Sequence, residues 1–450
     1  MDTLSLLARY DRRLPRYTSY PTAVQFDARV NGDVHRRWLA AIPDGATASL
    51  YLHVPFCRSL CWFCGCNTSV VNSVTALERY AASVQAEIAR VASAIGHRMP
   101  VRQIHWGGGT PTALPEPLMR AVDATLRRHF TIDADTEIAI EIDPRTLPAT
   151  AESDLHALGI GRASLGVQDF SPAVQDAIGR HQSVAQTRHA ALVARAAGAG
   201  SINLDLVYGL PHQTVASLEA TVESVLEIDP DRVALYGYAH VPWMQKRQQV
   251  IAEYDLPDSV ARLAQQARAG TMLAEAGYSR IGLDHFAKPG DRMALACGTP
   301  ALRRNFQGYT VDDADVLIGF GASAISALPQ GYAQNATRTT DYLASIEKAG
   351  FAIARGLALT EEDGLRRAII ERIMCDLAVD VARLAKNAGV DFATFDDVWP
   401  KLESLATDGL IRRNGSVISV TEAGRPFLRH VASCFDAYLD PETARHASAI

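Results

Sequence analysis

From about residue 49 to residue 285, the hydrophobic pattern alternates between short β-prone runs and longer stretches with helical spacing. The short runs are rich in β-branched and aromatic residues and end at Pro, Gly or a polar residue. The longer stretches repeat apolar residues every three or four positions, as a helix with one buried face does. Strands that alternate with helices predict βα units around a parallel sheet, and so an α/β fold.

Six such units are predicted. Their strands cover 49–54, 101–106, 136–143, 161–167, 202–210 and 232–240. The helices cover 77–95, 116–130, 183–197, 214–227 and 258–276. In parallel βα folds the chemistry gathers at the carboxyl ends of the strands, so unusual residues there are the first candidates for a site.

The two flanking segments differ from this region. Residues 1–45 mix Arg, Tyr, Pro and Thr without a clear period, which predicts an irregular arm before a main domain over 46–355. Residues 361–377 are helical, and Asn414-Gly415 between two β-prone runs is a strong hairpin signal. Residues 356–450 thus resemble a mainly helical, winged-helix-like domain, for which a packing or lid role competes with nucleic-acid binding.

Composition narrows the class of protein. Of the 450 residues, 48% are apolar and 21% charged, and the net charge is −6. These values are typical of a globular protein and offer no basic field for nucleic acid or an anionic membrane. The chain has no long apolar run and no secretory pattern at its start, so we expect no membrane span and a cytoplasmic location, where thiols stay reduced.

Four of the seven cysteines lie within ten residues, in HVPFCRSLCWFCGCNT. Cys57, Cys61 and Cys64 have the spacing C-x3-C-x2-C, and Cys66 follows. A structural zinc site usually needs a second ligand pair, which is not found here. An iron–sulfur cluster fits better, with either Cys66 as a fourth ligand or one iron left open. The isolated cysteines are predicted to be buried apolar side chains: Cys297, Cys375 and Cys434.

Polar residues at other strand ends add candidates. Three glycines at 107–109 would let a ligand approach the backbone closely, although a tight turn explains them equally well. Glu141, Gln168 and Asp205 lie on three consecutive strands. Asp205 is predicted to be either a member of an ion pair or a ligand contact. Two further side chains have local roles: Asp143 as a helix cap and Arg180 as a partner of a carboxylate.

The cysteine triad at the end of the first strand, with Phe63 before the third cysteine, resembles the radical S-adenosylmethionine superfamily. This resemblance implies a partial (β/α)6 TIM-like barrel and a 4Fe–4S cluster on Cys57, Cys61 and Cys64. The open iron would bind S-adenosylmethionine, whose cleavage gives a 5′-deoxyadenosyl radical that takes a hydrogen atom from the substrate.

Further motifs resemble one family, the oxygen-independent coproporphyrinogen III oxidases. They are RYTSYPT (16–22), YLHVPFCRSLCWFCGCN (51–67), HWGGGTPT (105–112), SLGVQDF (164–170), NLDLVYGLP (203–211), YAHVP (238–242), GLDHFAKP (282–289), RRNFQGYT (303–310) and GFGASAIS (319–326). The resemblance implies conversion of two propionates of coproporphyrinogen III to vinyl groups, giving protoporphyrinogen IX in haem biosynthesis.

The same resemblance implies roles for individual residues. Cys66 and Gln307 would be catalytic. Two molecules of S-adenosylmethionine would be bound by Tyr51, Phe63, Gly108, Gly109, Thr110, Glu141, Gln168, Arg180, Asp205, Ala239 and Ile325. The four substrate carboxylates call for basic residues at the mouth of the barrel, for which the candidates are Arg16, Lys288, Arg303 and Arg304. We also expect an electron donor such as a flavodoxin or ferredoxin, and a monomeric enzyme.

Three alternatives remain at this point. The first is a haem-binding or haem-delivery relative without this activity, against which the Cys64-Gly65-Cys66 extension and the NFQGYT stretch argue. The second is a radical methylase or ring-opening enzyme. The third is a zinc-bearing DNA-binding protein, which the acidic net charge disfavours.

Overall fold

The structure is a computed structural model and describes residues 3–439 and 446–449. Its strands are β1 Ala48–Val54, β2 Phe56–Cys57, β3 Ser69–Val70, β4 Val101–Gly108, β5 Glu137–Ile142, β6 Arg162–Gln168, β7 Ser201–Tyr208, β8 Arg232–Gly237, β9 Ser279–Ile281, β10 His285–Ala287, β11 Arg303–Asn305, β12 Gly308–Thr310, β13 Val316–Phe320, β14 Ile325–Leu328, β15 Gly331–Asn335, β16 Ile353–Ala358, β17 Ala378–Asp380, β18 Ile411–Asn414 and β19 Val417–Val420. Its helices are α1 Thr3–Tyr10, α2 Gly32–Ala40, α3 Val74–Ile95, α4 Glu116–His129, α5 Ala151–Leu158, α6 Pro172–Ile178, α7 Val184–Ala196, α8 Val215–Ile228, α9 Ser259–Glu275, α10 Arg292–Leu295, α11 Thr339–Glu347, α12 Glu361–Asp376, α13 Val381–Asn387, α14 Trp399–Thr407 and α15 Leu428–Ser433.

Twelve strands form the main sheet, in the order β16-β15-β14-β13-β1-β4-β5-β6-β7-β8-β10-β9. The six predicted strands are its parallel members β1 and β4 to β8, so the βα prediction is confirmed. A seventh parallel strand, β13, pairs with β1 from Ala48↔Val316 to Leu52↔Phe320. The pattern did not predict it, because hairpins rather than a long amphipathic helix precede this short run.

The parallel strands have one apolar and one polar face. In β1, Leu50, Leu52 and Val54 belong to the main core, whereas Ser49 and Tyr51 point to the other side. The same alternation recurs along β5, β6 and β7. A parallel sheet with helices on both faces is usually apolar on both of them. The polar face of this sheet therefore indicates that it surrounds an interior that binds polar groups.

The arm is more regular than predicted. α1 lies in this segment because Leu6, Leu7 and Tyr10 pack against the apolar core of the C-terminal region. Asn31 caps the start of α2, and its side chain accepts hydrogen bonds from Asp33 N and Val34 N. The prediction of an irregular arm is therefore wrong for these two helices. Their apolar residues are too few for a period to stand out.

The C-terminal prediction holds in outline. The helix over 361–377 is α12, and Asn414-Gly415 forms the turn between β18 and β19. A third strand, β17, joins this hairpin. Cys375 and Cys434 are buried as expected, but Cys297 is exposed because it follows the short surface helix α10. None of the helices in residues 3–439 and 446–449 is long and apolar enough to cross a membrane.

Glu87 of α3 is a buried carboxylate that holds the loop after β13. Its Oε2 accepts hydrogen bonds from Gly321 N and from the Tyr342 hydroxyl, both at 2.8 Å. Its Oε1 accepts one from Asn335 Nδ2 at 2.6 Å. Burial raises the pKa of Glu87 to about 7, although these three donors act in the opposite direction.

We expect Glu87→Gln to flatten the pH dependence of the unfolding free energy. Glu87 holds its proton more tightly in the folded chain (pKa about 7) than in the unfolded chain (about 4.5). Its contribution is therefore complete below about pH 4.5 and is lost as the pH rises through about 7, a change of about 3 kcal/mol. Denaturant titrations between about pH 5 and pH 8 measure this slope. Glu78→Gln, on the exposed face of the same helix, should keep the pH dependence of the wild type. An unchanged slope in Glu87→Gln would contradict the expectation.

Candidate active site

The cysteine loop, residues 55–68, leaves the carboxyl end of β1 and carries the four clustered cysteines. Its backbone is fixed from the segment that follows β8. The donors and acceptors are Gln245 Nε2 to Gly65 O at 2.9 Å, Arg247 Nη2 to Thr68 O at 3.0 Å and Gln248 Nε2 to Phe63 O at 2.8 Å. The loop is therefore held in one conformation by neighbouring side chains.

The arrangement of the thiols bears on which metal group they suit. In the described ranges 3–439 and 446–449, no three His, Cys, Asp or Glu side chains converge to hold a single metal ion. A tetrahedral zinc site requires such convergence. In an iron–sulfur cluster each thiolate binds a different iron, so the sulfurs stand further apart. The loop supplies three thiols from one short segment, which is the donor set that an iron–sulfur cluster uses.

The pKa values of Cys64 and Cys66 are shifted in opposite directions. Cys66 N donates to Cys64 Sγ at 3.4 Å. Hydrogen bonding from Cys66 lowers the pKa of Cys64 to about 6 against the effect of burial, and Arg247 and Arg180 add to the lowering. The hydrogen bond to Cys64 and its negative charge raise the pKa of Cys66 well above the ordinary value. Cys64 is thus the sulfur that carries charge most readily.

The three-glycine turn packs directly against the cysteine loop. Gly108 has a φ of +116°, and its N donates to Glu141 Oε2 at 3.1 Å. Glu141 Oε1 lies 3.0 Å from His105 Nε2. A Cβ on Gly109 would come within 2.5 Å of Phe56 O. Close packing of backbone on backbone therefore requires these glycines, whatever ligand lies above them.

Asp143 and two arginines form a buried group beside the loop. Asp143 caps the short helical turn after β5, as predicted, by accepting from Arg145 N at 3.1 Å. The predicted carboxylate partner of Arg180 is the same Asp143, whose two oxygens it contacts at 3.2 and 3.5 Å. Burial tends to raise the pKa of Asp143, but Arg145 and Arg180 outweigh it and lower the pKa. Arg145 Nη2 also donates to Cys61 Sγ at 3.3 Å.

Asp205 of β7 accepts hydrogen bonds from Ser164 Oγ at 2.9 Å and Asn203 Nδ2 at 2.8 Å. Among the residues that the structure describes, it forms no ion pair with Lys, Arg or His, so the ligand-contact alternative remains. Burial raises its pKa, and the charge of Glu141 adds to the shift. Gln168 lies nearby with a φ of +72°, at a bulge between β6 and β7.

Two adjoining cavities open where the parallel strands end. The cysteine cavity, of about 450 Å³, is lined by the predicted residues Cys57, Cys61, Phe63, Cys64, Cys66, Gly108, Gly109, Thr110, Glu141, Gln168, Arg180, Asp205 and Ala239. The hairpin cavity, of about 490 Å³, lies against the turn between β11 and β12 and is lined by the predicted residues Tyr51, Cys66, Gly108, Glu141, Gln307 and Ile325. Both volumes suit a small-molecule ligand.

The predicted basic residues of the mouth are scattered. Arg16 lines the cysteine cavity. Lys288 pairs with Asp229 at 2.6 Å, at the opposite end of the barrel, because β10 runs antiparallel to β8. Arg303 and Arg304 line a separate cavity of about 420 Å³ beside α12. The predicted position at the mouth is therefore wrong for Lys288. Arg303 and Arg304 line this neighbouring cavity instead of the mouth.

Several contacts at the site were missed from the sequence. Arg145 follows Asp143 by two residues, a spacing that offered a local signal. Tyr236 lines the cysteine cavity. It lies near the end of a predicted strand, so its position offered the same signal as the other polar residues at strand ends. Arg247 and Gln248 lie in an irregular segment, where no pattern marked them.

Two family models match the chain. The model of the radical SAM superfamily matches residues 51–225. The model of the HemN C-terminal domain matches residues 359–427. The first range contains the cysteine loop and the glycine turn, and the second contains α12 and the β18–β19 hairpin.

Individual relatives match over nearly the whole chain. An oxygen-independent coproporphyrinogen III oxidase from Bradyrhizobium diazoefficiens is 47% identical over 440 residues, which cover 98% of each chain. The protein of the same name from Escherichia coli K12 is 39% identical over 441 residues, covering 97% of this chain and 95% of the relative. A solved structure of coproporphyrinogen III oxidase (HemN) from Escherichia coli, described as a radical SAM enzyme, superposes with a TM-score of 0.91 at 37% identity, covering 97% of this chain and 99% of the other.

Proposed function

The chain belongs to the oxygen-independent coproporphyrinogen III oxidase family of the radical S-adenosylmethionine superfamily, and we propose that the family's reaction takes place at its cysteine and hairpin cavities. The enzyme decarboxylates two propionates of coproporphyrinogen III to vinyl groups without oxygen, giving protoporphyrinogen IX for haem biosynthesis. One observation carries this assignment: the cysteine triad, the glycine turn and polar ends of three strands line a single cavity.

The cysteine loop provides what a 4Fe–4S cluster requires. Cys57, Cys61 and Cys64 would each hold one iron, and Arg145 and Arg180 place positive charge beside Cys61 Sγ, at 3.3 and 3.6 Å. Such charge offsets part of the negative charge that thiolates bring to a buried site. When bound, the cluster and S-adenosylmethionine supply the electron and the 5′-deoxyadenosyl radical that removes a hydrogen atom from the substrate.

We infer two binding sites for S-adenosylmethionine, because the residues predicted to bind it divide between two cavities. In the cysteine cavity, Asp205 has only neutral hydrogen-bond partners among the described residues, so its carboxylate suits the hydroxyls of a ribose. In the hairpin cavity, Tyr51 and Ile325 are lining residues. Gly108 and Glu141 border both cavities, so ligands in the two sites would lie next to each other.

Cys66 and Gln307 are proposed as catalytic residues because of the cavities that they line. Cys66 lines both cavities and is exposed. Gln307 lies at the tip of the β11–β12 turn, and its backbone N donates to Asn305 Oδ1 at 2.9 Å. This bond fixes the tip, so that the side chain of Gln307 can contact a ligand in the hairpin cavity.

The remaining proposals concern partners and organisation. We propose a small one-electron donor such as a flavodoxin or ferredoxin, a monomeric state and a cytoplasmic location, and we propose no nucleic-acid partner because the net charge is −6. The chain would divide into an arm (1–45), a catalytic domain (46–355) and a C-terminal domain (356–450).

An anaerobic assay tests the function. The protein, reconstituted with iron and sulfide, is given coproporphyrinogen III, S-adenosylmethionine and a reductant, and the tetrapyrrole product is identified by mass spectrometry. We expect each reacting propionate to lose carbon dioxide and two hydrogen atoms, with release of 5′-deoxyadenosine. Stoichiometric haem binding without turnover would favour the haem-carrying alternative instead, and a gain of mass would favour a methylase.

A further inference from the structure

The N-terminal arm brings Arg16 to the end of β8, and two arginines from distant parts of the chain contact the backbone of this arm. Arg16 Nη2 donates to Gly237 O at 2.6 Å. Arg304 Nη2 lies 3.5 Å from the carbonyl oxygen of Arg16. Arg429 Nη1 lies 3.5 Å from Leu14 O, two residues earlier in the arm. The β11–β12 hairpin and α15 therefore place two buried arginines against the backbone of the arm, and Arg16 is the member of this arginine group that lines the cysteine cavity.

This arginine group has more positive charge than its ion pairs neutralise. Among the described residues, the three arginines form one ion pair, between Arg304 and Asp284 at 3.6 Å. Arg304 Nε and Nη1 and Arg429 Nε are buried without a hydrogen-bond partner in the same residues. Burial lowers the pKa of Arg429 to about 10, and the charge of Arg16 contributes to the lowering. An anion beside Arg16 would relieve that repulsion.

Arg16 is the member that a ligand can reach. It is exposed and lines the cysteine cavity, whereas Arg304 and Arg429 are buried. The guanidinium forms two parallel hydrogen bonds with a carboxylate. Buried charge behind it strengthens the attraction, because little water screens it.

The chemistry of the substrate indicates which carboxylate belongs here. Two of its four propionates lose their carboxylate during the reaction, so a strong ion pair with one of those would stabilise the ground state against loss of carbon dioxide. A retained propionate keeps its charge throughout, and an ion pair with it stabilises substrate and transition state equally. Arg16 therefore suits a retained propionate.

We propose that Arg16 binds a propionate that the reaction leaves intact, with Arg304 and Arg429 supplying positive charge behind it. This inference rests on the proposed function. It gives the exposed start of the RYTSYPT stretch a role in substrate binding, and it sets the orientation in which the tetrapyrrole presents its reacting side chains to the site.

Arg16→Gln, Arg16→Lys and the control Arg13→Gln test it. Arg13 is an exposed arginine of the same arm that stacks on Trp243 at 4.6 Å, outside the cavity. We expect Arg16→Gln to raise KM for coproporphyrinogen III about 10- to 100-fold with kcat little changed, as loss of a charged hydrogen bond made equally in both states predicts. The KM of Arg16→Lys should lie between those of the wild type and Arg16→Gln, and the KM of Arg13→Gln should match that of the wild type.

Direct binding separates this inference from the proposed function. Fluorescence titration with coproporphyrin III and with its neutral tetramethyl ester should show that the wild type prefers the free acid and that Arg16→Gln loses much of this preference. If the wild type decarboxylates the substrate and Arg16→Gln keeps its KM and its preference, the inference is wrong and the function stands. A fall in kcat at unchanged KM would also overturn it. A wild type that neither binds nor converts the substrate would refute the function itself.

Discussion

Replacing Cys64 by alanine is expected to remove the iron and all turnover from the enzyme. Cys64 is the third thiol of the C-x3-C-x2-C spacing, and hydrogen bonding from Cys66 with the charges of Arg247 and Arg180 lowers its pKa, which favours the thiolate that iron binds. Without it, two thiolates would remain, too few for a stable 4Fe–4S cluster. Iron and sulfide analysis of the reconstituted protein should fall from about four irons per chain toward zero, and 5′-deoxyadenosine should stay at background.

Two companion variants make this result specific. Cys66→Ala should keep its iron but turn over slowly, because Cys66 is proposed to be a catalytic residue and not a ligand. Cys297→Ala removes an exposed thiol outside the loop and should behave as the wild type. Cys64→Ala protein with full iron content and normal 5′-deoxyadenosine formation would refute the ligand assignment. Circular dichroism of the metal-free proteins verifies that all three have folded.

Gly109→Ala is expected to have the second largest effect, because it damages the cluster region and the cofactor site together. The new Cβ would overlap Thr68 Oγ1 and lie 2.5 Å from Phe56 O. Thr68 contacts Cys57 Sγ at 3.1 Å, so the displacement reaches a proposed iron ligand. Overpacking of this kind costs about 1–3 kcal/mol. We expect a lower melting temperature, reduced iron content and a KM for S-adenosylmethionine at least about tenfold higher.

The control is Gly290→Ala. Gly290 has open space around the Cβ position and a φ outside the left-handed region, so the substitution should leave stability, iron content and KM unchanged. Equal behaviour of Gly109→Ala and Gly290→Ala would show that the turn tolerates a side chain, and that close packing of the glycine turn on the cysteine loop is not needed.

The sequence predicts local and periodic features well. Each of the six βα strands has its own apolar run and its own terminating residue, so β1 and β4 to β8 were within reach of pattern analysis. Asp143 was predicted as a cap because such a role depends on the next two residues. The cysteine spacing was informative for the same reason, since one short loop has to supply all three thiolates.

Features that depend on distant contacts were not predicted. β13 belongs to the parallel sheet because β1 accepts it as a neighbour, and nothing in residues 316–320 states this. Lys288 was misplaced because the direction of β10 is set by its pairing with β8. The division of the predicted cofactor residues between two cavities depends on where the β11–β12 hairpin folds back, far along the chain from the cysteine loop.

The side chains that hold the cysteine loop also determine the order of events in making the active enzyme. Gln245, Arg247 and Gln248 hold its backbone carbonyls through protein atoms alone. The entropy cost of ordering the loop is therefore offset in part by contacts within the polypeptide, whereas in a zinc finger it is met by metal binding. We expect iron and sulfide to enter a loop whose backbone these side chains already restrain. A protein that has lost its cluster to air should then be able to take up a new one.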